Sequence, residues 1–255
     1  MIEHEFIKFK KNKSLYVILF FVVIFISFMY IQKAININSG YYNENLIYPS
    51  YLISFNLVLF MTISSLIMPI IGGLLINNEI IYNTWNIVLM KNNQYKVLFW
   101  KICMLFIFSI FIIFSLVIIS IFLGLSKGDS FIYQFNLYQL ILQIMNAIIY
   151  IFIEGLVGLM FTLIFSNYFA GSLVSLLLLN FDTTFMNTSI TEKLTISYQK
   201  WNLISQIYNN IVGDTQLIIN TNYTSSITYS IVVTLIIYII ILLIICIFLK
   251  IKEFD

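Results

Sequence analysis

The chain has 255 residues, of which 61% are hydrophobic and only 9% charged; 13 Lys, no Arg and 11 acids give a formal net charge of +2. Ordinary soluble domains carry about 25% charged residues. Here the charges form short islands between long apolar runs, which excludes a soluble core, and no basic surface is left over to hold a nucleic acid.

A bilayer core about 30 Å thick is crossed by roughly 20 apolar residues of helix, and the runs of this chain are of that order. Residues 1–13 precede the first, with Ile2, Phe6 and Phe9 at helical spacing and Glu3, Lys8 and Lys11 free to face water. That pattern predicts a short helix lying in the membrane interface; a basic tail that only fixes topology is the plainer alternative. The first span covers about 15–31 and is interrupted only by Ser27. No small-residue cleavage site follows it, so it is read as a retained span rather than a signal peptide.

The second span covers about 52–76, with a kink or loosened last turn expected at Pro69 and Gly72-Gly73. Residues 77–101 then form a polar segment in which Ile81, Thr84, Trp85, Val88 and Leu89 fall on one helical stripe, with Glu79, Asn83 and Asn86 off it. An amphipathic helix follows from that spacing. Its apolar stripe can pack on lipid and its own bundle, or dock in the groove of a partner protein. Lys96 and Lys101 mark the membrane edge of the third span, about 102–125.

The fourth span, about 140–165, contains Glu154, the one charge deep inside a span. An ionised carboxylate there costs about 2.5–3.5 kcal/mol on insertion scales, so a partner on another helix, or a proton, must compensate it. A role on a substrate path and a hydrogen bond across a helix interface are both open; Gly155 and Gly158 beside it permit close helix approach. The fifth span, about 169–186, is strongly apolar only as far as Leu179 before Asn180 and Asp182, and either crosses with polar help or re-enters. An outer segment, 187–226, places Trp201, Ile204, Tyr208 and Ile211 at near-helical spacing, and the last span covers about 227–249.

The expected architecture is therefore all-α: a single polytopic unit of six transmembrane helices with an interfacial helix and a cytosolic coupling helix. With the N-terminus inside, nine of the thirteen lysines lie at cytosolic ends: Lys8, Lys10, Lys11, Lys13, Lys91, Lys96, Lys101, Lys250 and Lys252. That satisfies the positive-inside rule with both termini cytosolic. Abundant Ile, Asn, Lys and Tyr without Arg suit an AT-rich, bacterial coding sequence and hence a bacterial plasma membrane. Cys103 and Cys246 fall at or within apolar runs without metal-ligand spacing, and His4 has no neighbouring ligand set. Neither HExxH, GxSxG nor the GxxxxGK[ST] phosphate loop occurs, so neither enzymatic chemistry nor ATP binding through such a loop is expected of this chain.

Two stretches carry a family resemblance. EHEFIKFKKNKSLYVILF, with Glu5, Phe6, Lys8, Lys10 and Lys13, and INNEIIYNTWNIVLMKNNQYKVLFWKI, with Glu79, Thr84, Trp85, Leu89 and Lys101, are similar to the opening and to the segment after span two of ABC-2 type permeases. The chain departs from the family pattern in having Asn83 before the Thr and Lys91-Asn92-Asn93-Gln94 after the Leu. The resemblance implies docking on a nucleotide-binding subunit through Glu79, Ile81, Thr84, Trp85, Val88 and Leu89 together with Phe6 and Lys8. It also implies two ATPase copies, a second permease subunit, same or sister, and ATP and Mg on the partner rather than on this chain. Size and the Glu-Phe-x-Lys-x-Lys opening resemble small permeases that protect bacteria from lantibiotics and bacitracin, or that export peptides. The cargo expected is accordingly a hydrophobic or antimicrobial peptide; lipid-linked glycan, sodium and small drugs are the other family cargoes. A stand-alone immunity or binding protein in contact with membrane lipid is the competing class.

Overall fold

A computed structural model of the chain describes residues 49–81, 94–125, 137–181 and 227–252, together with positions 13, 16, 17, 20, 23, 24, 27 and 202. Helix α1 runs Pro49–Ile81, α2 Gln94–Leu125, α3 Leu137–Phe165, α4 Tyr168–Phe181 and α5 Ile227–Lys252. Among the described residues there is no strand. The stretches Leu52–Asn77, Tyr95–Leu123 and Leu140–Phe165 are long and apolar enough to cross a bilayer. In the first apolar run the single described positions are all helical, and the Ser27 hydroxyl donates to the Val23 carbonyl at 2.9 Å, turning its polar group back onto its own helix.

α1 begins on Pro49, where the missing N–H costs nothing. It runs unbroken through Pro69 and Gly72-Gly73 to Ile81, five residues beyond the expected end of the second span. The loosened last turn is absent because tertiary contacts replace what Pro and Gly lose in helix propensity. α2 in turn starts at Gln94, eight residues before the third apolar run. Only residues 82–93 therefore separate the two helices. At 1.5 Å per residue α1 and α2 are each about 50 Å long, well beyond the hydrocarbon thickness, so they carry the chain out of the bilayer as stems.

α3 is the central helix, and every residue from Ile151 to Met160 is buried. It packs against α1, α2, α4 and α5. The outer helices invert the pattern of a soluble protein: Phe111, Phe114 and Phe122 are exposed on α2, and Ile236, Ile240, Leu243 and Ile247 form an exposed stripe on α5. In water such stripes would drive association; in a bilayer they are the lipid face.

Two residues join α3 to α4. Ser166 takes a left-handed conformation with φ 49°, ending α3, and the Asn167 side-chain oxygen accepts from the Phe169 and Ala170 N–H groups at 2.9 and 3.3 Å, capping α4. The turn folds α4 back along α1 and α3. The described part of α4 is 14 residues, about 21 Å of helix. Its end is held by the Ser65 hydroxyl, which donates to the Asn180 side-chain oxygen at 2.9 Å.

Candidate functional site

Two polar ties fix the register of α1 against α2. Asn56 donates through Nδ2 to the Ser120 hydroxyl at 2.8 Å, and the Lys101 ammonium donates to the Leu75 main-chain carbonyl at 2.7 Å. From Asn56 to Leu75 on one helix, and from Ser120 back to Lys101 on the other, is the same step of nineteen residues. That step is about 28 Å of helix, so the ties sit near opposite edges of the hydrocarbon core. The pair is an antiparallel hairpin pinned near both ends, and residues 82–93 connect its two helices in sequence.

The Lys101 tie differs from what the sequence predicts. A lysine at the edge of a span is expected to snorkel into the interface; Lys101 is instead 1% exposed and turned into the bundle, where it has further interactions. Its carbonyl partner lies six residues before the end of α1, so the helix ends on either side of residues 82–93 are joined to each other inside the protein. Glu79 and Ile81 lie in the last turn of α1, but their side chains, like Thr84, Trp85, Val88, Leu89, Phe6 and Lys8, are outside the described residues, as is most of segment 187–226.

The second feature is the crossing of α1 and α3. A Cβ on Gly72 would lie 1.9 Å from the Gly155 carbonyl oxygen, and a Cβ on Gly158 would lie 2.2 Å from the Pro69 carbonyl oxygen. The two backbones thus touch, which only glycine allows. Gly171 of α4 similarly leaves no room between itself and the Thr162 backbone, and the Ser175 hydroxyl donates to the Gly171 and Val157 carbonyls at 2.6 and 3.3 Å. α1, α3 and α4 are consequently packed through backbone rather than through compressible side chains.

Glu154 stands directly beside this contact, fully buried and engaged within the bundle. It continues a polar stripe on α3: Gln143, Asn146, Tyr150 and Glu154 recur at steps of three and four residues, and all four are buried. The Gln143 amide, on both its nitrogen and its oxygen, and the Asn146 Nδ2 are buried without a hydrogen-bond partner among the described residues. The sequence reading marked Glu154 alone on this helix and missed Tyr150 beside it. The signal was available, since Tyr150 precedes Glu154 by one i, i+4 step.

This arrangement holds no group of three or more metal-ligating side chains among the described residues. It has the parts of a mechanical device: a hairpin pinned by Lys101 and a crossing without slack beside Glu154. The sequence profile described as ABC-2 family transporter protein matches residues 1–182. No curated protein and no solved structure matches the chain.

Proposed function

The chain belongs to the ABC-2 transporter family, and on that premise we propose that it is the permease subunit of an ATP-driven exporter that expels hydrophobic or antimicrobial peptides. Membership makes it a multi-pass membrane component of a transport system, and a family of this kind works with a separate ATPase. The finer reading is that residues 77–101 and the N-terminal segment dock on that ATPase and receive its closure.

The observation that carries the coupling role is the Lys101–Leu75 bond. A push on segment 82–93 is delivered to α1 and α2 together, because their stems are tied at the base. α1 then bears on α3 through the Gly72–Gly155 contact, where no side chain can absorb the movement. Docking by Glu79, Ile81, Thr84, Trp85, Val88, Leu89, Phe6 and Lys8 completes the proposal. So do two ATPase copies holding ATP and Mg, a second permease, and a bacterial plasma membrane with both termini cytosolic, in line with the lysine distribution. The peptide cargo rests on the resemblance of the chain's size and Glu-Phe-x-Lys-x-Lys opening to small protection permeases.

The test is purification of the tagged chain from native membranes in mild detergent, with mass spectrometry of its companions. Co-purification of an ATP-binding subunit that is lost in Trp85→Ala or Glu79→Lys supports the proposal. Recovery of the chain alone, with protection against the peptide persisting after deletion of the ATPase, supports a stand-alone immunity protein instead. Export of the labelled peptide from inverted or intact vesicles decides the cargo.

A further inference from the structure

Between α2, α3 and α5 runs an apolar groove of about 710 Å³. Phe99, Cys103 and Phe106 of α2, Phe152 of α3, and Tyr238 and Cys246 of α5 are among its walls. It exists because α5 packs on α3 while barely meeting α2 among the described residues. Its floor is aromatic: the Phe106 and Phe152 rings meet edge to face at 5.2 Å, and Phe152 and Tyr238 lie 5.6 Å apart at a tilt of 47°. Such contacts are rigid enough to keep the groove open rather than letting Phe152 collapse into it.

Length and charge identify the occupant. On α2 the walls extend from Tyr95 to Ile107, and on α5 from Leu235 to Cys246. Each is about 17 Å of helix, close to half of a 30 Å hydrocarbon core, which is the depth reached by the acyl chain of one leaflet. One end of the groove is basic. Exposed Lys96 neighbours Tyr95 there, and Lys250 and Lys252 fall in the last described turn of α5, one turn past Cys246. Tyrosine and lysine at the end of a span belong at the headgroup level.

We infer that this groove is a binding site for one anionic phospholipid of the leaflet at the Lys96 end, its acyl chain between α2 and α5 and its phosphate on Lys96. It gives α5, which among the described residues packs mainly on α3, a lipid as its second neighbour.

The experiment uses the full chain in nanodiscs containing phosphatidylglycerol or phosphatidylcholine that carries a photoactivatable acyl chain, with adducts mapped by mass spectrometry. Adducts are expected to concentrate on Cys103, Phe106, Tyr238 and Cys246, with the anionic probe ahead by about fivefold, the worth of one basic residue near such a headgroup. Lys96→Glu, an exposed change, brings the ratio of the two probes to one or below. Cys246→Trp fills the mouth and lowers groove adducts while those at Phe114 and Phe122 on the lipid face stay constant. Adducts spread over Phe114, Phe122 and Ile239 as densely as over the groove would mark ordinary bilayer solvent and overturn the inference, as would equal capture of the two probes by the unaltered protein.

Discussion

Lys101 spends its charge on the Leu75 carbonyl, 2.7 Å away and in the preceding helix, rather than on water. A hydrogen bond to a charged group contributes about 1.5–3 kcal/mol, but the ammonium is buried, and burying an ion costs several kcal/mol. The ammonium has interactions beyond this bond as well, so Lys101→Met, which keeps the length of the side chain, is expected to lower the melting temperature in detergent by stranding the buried groups the ammonium engages. Peptide-stimulated ATPase activity of the assembled transporter is expected to fall several-fold. Unchanged stimulation would remove Lys101 from the coupling path.

The glycines of the α1–α3 crossing should not respond alike to alanine. At Gly72 and Gly158 the new methyl would strike a main-chain carbonyl at 1.9 and 2.2 Å, so a helix must move. Overpacking of this kind costs about 1–3 kcal/mol, more than the roughly 0.5–1 kcal/mol that alanine gains over glycine in a helix. At Gly155 the methyl meets only the tip of Leu105 at 2.9 Å, a flexible end that can turn aside. Thermal unfolding in detergent should therefore rank Gly72→Ala and Gly158→Ala well below Gly155→Ala, which stays near the wild type.

The apolar runs were legible because each lies between polar islands, and a lipid solvent demands helix wherever such a run occurs. What sequence alone did not show was how far α1 and α2 run beyond their apolar cores, and which groups meet between helices. Gly72-Gly73 read as a weak point in α1, because propensity counts the missing side chain as a loss; in the fold that absence lets Gly155 approach. Lys101 read as an interfacial anchor, because a one-dimensional pattern places a lysine at the rim and cannot show a carbonyl on the neighbouring helix. Tyr150 went unmarked as a half-polar residue among aromatics. The family resemblance drawn from two short stretches is matched by a profile over residues 1–182, while the docking residues named from it stand outside the described part of the chain.

Asn56 and Ser120 form the other tie of the α1–α2 hairpin, and both are buried. Hydrogen bonds between membrane helices average about 0.6 kcal/mol and reach about 1.7 kcal/mol, since the separated helices find other partners. Ser120 already donates to the Leu116 carbonyl at 2.7 Å, so its oxygen is free to accept from Asn56 without loss. A double-mutant cycle of Asn56→Ala and Ser120→Ala should give a coupling energy within that range. A value indistinguishable from zero would mean that packing, not this pair, sets the register at that end.

Glu154 occupies a position where shape and charge can be separated. It is fully buried next to the Gly72–Gly155 backbone contact, on a face it shares with Gln143, Asn146 and Tyr150. A group that holds a helix interface needs a hydrogen-bonding head of the right size, and an amide supplies one. Glu154→Gln is thus expected to insert, assemble with the ATPase and export at close to the wild-type rate. Glu154→Leu should lower the melting temperature, because it strands whatever polar group the carboxyl engages, at about 1–3 kcal/mol for each buried group left unsatisfied. Export measured in vesicles gives the contrary outcome its meaning: a Gln variant that assembles normally but does not transport would make the charge of Glu154 part of the transport step, and the polar stripe above it the route by which that charge is reached.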